Sequence, residues 1–386
     1  MRHPAFKTLL FVLTFAALSV AMDSQVLAAS TNHTIAKQAI MIDYDTGMVL
    51  FEKSAHVKMP TSSMSKVMTA YVVFEALKDG RLRLDTELPV SEKAWRKGGS
   101  KMFVEVGDRV AVEDLLQGVL VQSGNDATIV LAEGLAGSED NFAAMLNDTA
   151  LKLGMKDSHF MNASGWPDPD HYSTAHDLAL LAMKIYQNFP EHYSIFSEKE
   201  FTYNNIKQPN RNPLLYRDIG VDGLKTGHTE AGGYGLMATG TRNGRRVFLV
   251  VNGLPSEKDR AQEGARLIEW GLRGFENKVL FKQGEAIGEA KVAFGKEETV
   301  ALTVDEDIFI TIPSTLRNDL DVTIQYQGPL VAPVKGGQEI GKLIVKIPRG
   351  ETLEYAVKTQ GSVKKIGFFS SLIMKIKFKL GMAQDY

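Results

Sequence analysis

The sequence predicts an α/β (α+β) chain in which a mainly antiparallel sheet is flanked by helices, with a helical insert, and is followed by a small all-β C-terminal domain. Three observations predict this. Strand-like text stands before residue 55 and returns after residue 220. Between the two stretches apolar residues recur at helical spacing. After Phe275 the text becomes short β-like runs divided by Gly, Pro and charged pairs.

Arg2, His3 and Lys7 open the chain, an uncharged apolar run follows from Leu9 to Met22, and small residues stand at Ala28 and Ala29. This is the pattern of a secretory signal peptide cleaved after Ala28 or Ala29. An uncleaved anchor is the alternative, but the run is short for a bilayer span. Residues 1–29 are therefore read as a leader, and the mature protein as one that works outside the cytoplasm.

The next elements follow from local chemistry. Ala39–Tyr44 and Met48–Lys53 flank Asp45-Thr46-Gly47 as a hairpin. Helical patterns run over Ser63–Lys78, Val112–Val121, Asn125–Leu135, Glu139–Leu153 and Ala175–Asn188. Thr174 with Asp177 resembles a capping box for the last of these. Gly235–Arg242 and Arg245–Asn252 flank Asn243-Gly244, a strong two-residue hairpin signal, and a helix is expected over Lys258–Leu272. The catalytic domain is placed at 30–277.

Residues 278–360 read as a separate β-rich domain with strands at Val300–Val304, Phe309–Ile312, Val322–Tyr326, Lys342–Ile347 and Leu353–Val357. It carries no catalytic-looking cluster, so a scaffold or interaction role is expected. The stretch from Lys364 to Leu380 reads KKIGFFSSLIMKIKFKL. On a helix, Ile366, Phe369, Leu372, Ile373, Ile376 and Leu380 share one side, opposite Lys364, Lys375 and Lys379. Residues 361–386 are read as a basic amphipathic tail lying on an anionic membrane surface. Packing against the protein's own core is the alternative.

Composition narrows the chemistry. The chain has 386 residues, 44% hydrophobic and 23% charged, ample for two packed domains. The formal net charge of −2 offers no basic field for nucleic acid. There is no Cys, so disulfides, thiolate catalysis and Cys-based metal sites are excluded. No metal or organic cofactor is implied, because neither a ligand cluster nor a phosphate loop is present.

Three short patterns occur in a fixed order: Ser63-Met64-Ser65-Lys66, Ser123-Gly124-Asn125 and Lys225-Thr226-Gly227. Each alone is weak, since a second Ser-x-x-Lys stands at Ser362 and Lys365 and a second Ser-x-Asn at Ser30 and Asn32. The ordered set is specific. Ser63 and Lys66 lie one turn apart at a helix start, so they share a face. A serine hydroxyl needs a base, and an amine serves only if burial and neighbouring positive charge lower its pKa; Lys225 is a source of that charge. Ser123 is placed to pass a proton between Lys66 and a leaving amine, and Asn125 to hold a substrate amide. The alternative is that either one merely caps the following helix. Lys225 and Thr226 offer a charge and a hydroxyl to a carboxylate, Gly227 permits close approach of a substrate backbone, and the His228 N–H pairs with that of Ser63 as an oxyanion hole.

These motifs, PTSSMSKVMT at Pro60–Thr69, VQSGNDA at Val121–Ala127 and GLKTGHT at Gly223–Thr229, resemble those of D-alanyl-D-alanine carboxypeptidases, the low-molecular-mass penicillin-binding proteins. The likeness runs from about Ala39 to the C-terminus. It implies a β-lactamase/transpeptidase-like fold, acylation of Ser63 with Lys66 as general base, a proton shuttle at Ser123 and substrate backbone binding at Asn125. It also implies carboxylate binding at Lys225 and Thr226, with Arg260 aligned to an arginine implicated at that carboxylate. The segment GWPDPDHYSTAHD resembles the loop below the active site; Asp168, Asp170 and His171 stand where related β-lactamases use a Glu, and the segment is read as structural. Trp95–Met102 is expected as a glycine-rich loop near the cleft.

The implied function is removal of the terminal D-alanine from peptidoglycan stem peptides ending in D-Ala-D-Ala, with β-lactams as acylating inhibitors, on the periplasmic face of the cytoplasmic membrane. The rivals are a DD-endopeptidase or β-lactamase using the same site, a non-catalytic wall-binding protein, and an esterase.

Overall fold

A computed structural model describes residues 34–316, 319–347, 350 and 352–367. The expected leader and most of the expected tail lie outside the described residues.

The sheet has five antiparallel strands: β1 (Gln38–Asp43), β2 (Val49–Lys53), β3 (Val221–Thr229), β4 (Gly233–Arg242) and β5 (Arg245–Leu254), in the order β2-β1-β5-β4-β3. Central β5 is buried along its whole length, which explains the apolar run Val247–Val251. Its residues alternate between two cores. Val247, Leu249 and Val251 face the helix Glu257–Arg273, whereas Phe248 and Val250 face the helical insert. The turn between β4 and β5 places Asn243 at φ 52 and Gly244 at φ 79, as a type I′ hairpin requires. Strand β3 is left at an edge, where the carbonyl of Gly223 accepts from Asn212 Nδ2 at 3.0 Å.

The insert's helices start where the caps direct. Ser138 Oγ accepts from Asn141 N at 3.1 Å before the helix Glu139–Leu153, and Thr174 Oγ1 accepts from Asp177 N at 3.0 Å before Ala175–Asn188. Two expected helices are broken near the motifs. Ser62–Ser65 is a 3-10 turn and the α-helix proper is Lys66–Lys78. Val112–Gln117 is helical, but Gly118–Gln122 widens to a π turn that delivers Ser123 in the left-handed region at φ 71.

Beyond Arg273, a six-stranded sheet and the pair Phe275–Phe281 with Ile308–Pro313 enclose a further core that includes Leu302, Ile310, Leu343 and Val357. The strand Phe275–Phe281 crosses the expected boundary at 277/278. Lys364–Ile366 do not open a helix; their backbone bonds to Phe294–Lys296, which satisfies their polar groups in extended form and carries the β-rich unit past residue 360. A buried ion pair, Arg245 Nε to Asp43 Oδ2 at 2.6 Å, joins the two units with Asn277, whose Nδ2 donates to Asp43 Oδ1 at 3.1 Å. No helix among the described residues is long and apolar enough to cross a membrane.

Candidate active site

The turn that carries Ser63 is pressed between two backbones. A Cβ on Gly227 of β3 would stand 2.9 Å from Thr61 O and 3.1 Å from Ser62 Cβ. A Cβ on Gly165, at φ +77, would stand 1.8 Å from Ser62 O. Gly227, expected to let a substrate backbone approach closely, lines the cleft, and the Ser63 turn packs where its side chain would stand. Ser62 takes φ 50, and its Oγ donates to Thr229 Oγ1 at 3.1 Å.

Lys66 is completely buried. Its Nζ lies 2.8 Å from Ser63 Oγ, 2.7 Å from Asn125 Oδ1 and 2.7 Å from the carbonyl of Ser164. Burial lowers its pKa to about 7; the positive charges of Arg211 and Lys97 act the same way, against Asp126. Arg211 is therefore a cation acting on Lys66 beside the expected Lys225, which repels the same amine. Lys225 is itself held well below an ordinary lysine, first by burial and then by repulsion from Lys66, Arg211 and Arg260.

Neither member of the second motif caps its helix. The N-cap of Asn125–Ala136 is Gly124, with no side-chain cap. Asn125 instead bridges the site: Oδ1 accepts from Lys66 and Nδ2 donates to Gly98 O at 2.8 Å. Asp126 accepts from the backbone N–H of Met102 and Phe103, both at 2.9 Å, and so pins the loop Trp95–Met102 beside it. Ser123 Oγ is buried without a hydrogen-bond partner among the described residues and lines the cleft.

The cleft is a cavity of about 350 Å³ lined by Ser63, Ser123, Arg211, Thr226, His228 and Arg260. Lys225 lies buried behind this surface, its Nζ donating to Thr226 O at 3.3 Å. The exposed His228 ring stacks on Tyr234 at 4.0 Å between centroids. Arg260 is buried, donates from Nη2 to Glu257 Oε1 at 2.8 Å and keeps Nε without a partner among the described residues. Such a cationic, hydroxyl-rich cavity beside an activated serine suits a carboxylate-bearing acyl substrate. Sequence reasoning missed Arg211, Tyr234, Glu257, Ser100 and the Ser164 carbonyl. The visible sign for Arg211 was its setting in Asn210-Arg211-Asn212-Pro213, where Asn212 Oδ1 accepts from Leu214 N at 3.1 Å and fixes the bend.

Of the loop candidates, His171 is buried and burial lowers its pKa to about 4. Its Nδ1 accepts from Met161 N at 3.1 Å, so the proton sits on Nε2, 2.8 Å from Ser65 Oγ. The ring ties the loop to the nucleophile turn. Asp170 is exposed, and Asp168 lines a neighbouring cleft. Among the described residues no group of three or more His, Asp or Glu side chains is arranged to hold a metal.

Residues 25–256 match the D-alanyl-D-alanine carboxypeptidase family, and residues 275–365 match the C-terminal domain of penicillin-binding protein 5. The chain is 38% identical over 368 residues to D-alanyl-D-alanine carboxypeptidase DacC of Escherichia coli K12, covering 93% of this chain and 91% of that protein. It resembles the crystal structure of the carboxypeptidase DacD from Francisella tularensis with a TM-score of 0.79 at 31% identity, over 92% of this chain and 99% of that one. It also resembles penicillin-binding protein D2 of Listeria monocytogenes in its ampicillin-bound form, with a TM-score of 0.58 at 32% identity, over 63% of this chain and 99% of that one.

Proposed function

The chain belongs to the D-alanyl-D-alanine carboxypeptidase family, and from that premise we propose that it removes the terminal D-alanine of peptidoglycan stem peptides through an acyl-enzyme on Ser63. The observation that carries this reading is the set of three contacts around Lys66. A neutral amine has two N–H donors and one lone pair. Asn125 Oδ1 and the Ser164 carbonyl can only accept, so they take the two N–H groups. The lone pair is left for the Ser63 hydroxyl at 2.8 Å, and a pKa of about 7 keeps a useful fraction of the amine neutral.

The steps balance. Lys66 takes the Ser63 proton while Oγ bonds to the carbonyl carbon of the penultimate D-alanine. The oxyanion accepts from the N–H groups of Ser63 and His228. The proton returns through Ser123 Oγ to the amide nitrogen, the C–N bond breaks, and D-alanine leaves. Water then attacks the ester and gives a proton to Lys66, the C–Oγ bond breaks as Lys66 returns that proton to Ser63 Oγ, and the shortened peptide leaves as its carboxylic acid. Thr226, Arg260 and Arg211 hold the substrate carboxylate, with the Lys225 amine buried behind Thr226; Asn125 exchanges a protein partner for the substrate backbone. A β-lactam acylates Ser63 by the same attack.

In this reading residues 1–29 export the protein, the unit that ends at Arg273 catalyses, residues 275–367 form a β-rich platform, and the basic stretch after it contributes the contact with the outer face of the cytoplasmic membrane. Release of free D-alanine from a D-Ala-D-Ala peptide tests the reaction. Wild type is expected to release it and Ser63→Ala to release none; no release by folded wild type sinks the proposal.

A further inference from the structure

The carbonyl that holds the Lys66 amine belongs to a turn organised by one side chain. Asn162 Oδ1 accepts from the backbone N–H groups of Ser164, Gly165 and Trp166 at 3.2, 2.9 and 2.9 Å, and from Ser164 Oγ at 3.2 Å. Asn162 Nδ2 donates back to the Trp166 carbonyl at 3.0 Å. The Asn162 side chain is half-buried, whereas Ala163, Ser164 and Gly165 are buried.

A trans peptide is planar, and its N–H and C=O point in opposite directions. The Ser164–Gly165 peptide is trans. Asn162 Oδ1 takes its N–H, so its carbonyl is turned away from Asn162 and toward Lys66 Nζ, 2.7 Å away. The preceding peptide repeats the arrangement. The Ser164 N–H goes to Asn162, and the Ala163 carbonyl accepts from Thr69 Oγ1 at 2.6 Å. One amide oxygen thus fixes two peptide planes, and their carbonyls meet one face of the helix Lys66–Lys78, a turn apart. Hydrogen bonds in such a chain polarise one another.

On the carboxypeptidase reading, we propose that Asn162 is a positioning residue for the base. It acts through the Ser164–Gly165 peptide to hold the Lys66 amine with its lone pair toward Ser63 Oγ. Its neutrality matters as much as its geometry. A carboxylate in its place would accept the same three N–H groups, but its charge would stand one peptide unit from the amine and favour the ammonium.

The test compares Asn162→Ala and Asn162→Asp with wild type in D-alanine release from a D-Ala-D-Ala peptide and in labelling by a fluorescent penicillin from pH 5 to 9. Asn162→Ala frees the peptide plane, so kcat is expected to fall about a hundred-fold. KM should stay near the wild-type value, because Arg211, Thr226 and Arg260 in the carboxylate cavity are untouched. Asn162→Asp keeps the turn, so its labelling rate should reach the wild-type plateau at high pH. Its acid limb should move up by about one pH unit, the size expected of a partly solvated charge one peptide unit away. A purely structural asparagine would move no limb. Wild-type kcat in a folded Asn162→Ala, or an unmoved limb in Asn162→Asp, overturns the positioning role and leaves the carboxypeptidase reading standing. Should the alanine variant not fold, the limb of the aspartate variant decides alone. No D-alanine release by folded wild type overturns both.

Discussion

The Lys66 amine donates to the carbonyl oxygen of Ser164 at 2.7 Å across 98 positions of chain. The loop after the helix Glu139–Leu153 thereby holds the Lys66 amine in place, and the same loop is tied to the Ser63 turn by the Ser65–His171 hydrogen bond of 2.8 Å.

Because Lys66 loses its proton near pH 7, acylation of Ser63 should follow the neutral amine. The second-order rate of labelling by a fluorescent penicillin is expected to fall about ten-fold per pH unit well below that point and to level off above it. A flat profile between pH 5 and 9 would contradict the lysine-base mechanism.

Arg211 lowers the Lys66 pKa by repulsion, so its removal must raise that pKa and move the same limb to higher pH. Arg211→Ala should show this displacement, and Arg211→Lys should largely retain the wild-type profile. The alanine variant should also lose more rate on a peptide with a free terminal carboxylate than on its amide. A limb that stays in place in Arg211→Ala would remove Arg211 from the account of the base.

Gly165→Ala brings a Cβ to 1.8 Å of the Ser62 carbonyl at φ +77, so the nucleophile turn must move. We expect about 3 kcal/mol or more of destabilisation and acylation slowed by roughly a hundred-fold or more. Gly80→Ala, at φ +74 with nothing within 4 Å of the new Cβ, isolates the backbone cost and should lose only about 1 kcal/mol with normal acylation. Denaturant unfolding and penicillin labelling of both variants check the contrast.

His171 titrates near 6.5 when unfolded but near 4 when folded, because its burial disfavours the charged ring. Between those values the unfolded chain binds more protons, so stability rises with pH through this window. Its stabilising contribution is present above pH 6.5 and is lost as pH falls toward 4, up to about 3 kcal/mol. His171→Gln should flatten this part of the stability curve in urea unfolding at a series of pH values. An unchanged slope would show that the ring is not the group responsible.

The two readings of the molecule differ in range. The N-caps at Thr174 and Ser138, the Asn243-Gly244 hairpin and the near-continuous apolar run of β5 are decided by neighbours within a few residues, and their elements stand where the pattern placed them. The ends of two helices were not legible in this way. Spacing alone does not distinguish an α-turn from the 3-10 turn at Ser62–Ser65 or from the π turn at Gly118–Gln122, because packing around the site selects them. The Lys364–Ile366 segment carried helical spacing, yet pairing with Phe294–Lys296 prevailed.

By itself, the sequence singled out Ser63, Lys66, Ser123 and Lys225-Thr226-Gly227 as the candidate site, because each is a chemical group at a fixed short spacing. Only the tertiary structure decided what surrounds them. It set Asn125 between Lys66 and Gly98, laid the Ser164 carbonyl against the amine, and brought Arg211 and Arg260 to one cavity. The physical reason is that a pKa, a cation pocket and a cleft depend on burial and on charge at distances of a few ångströms. Those distances arise only when remote segments pack together.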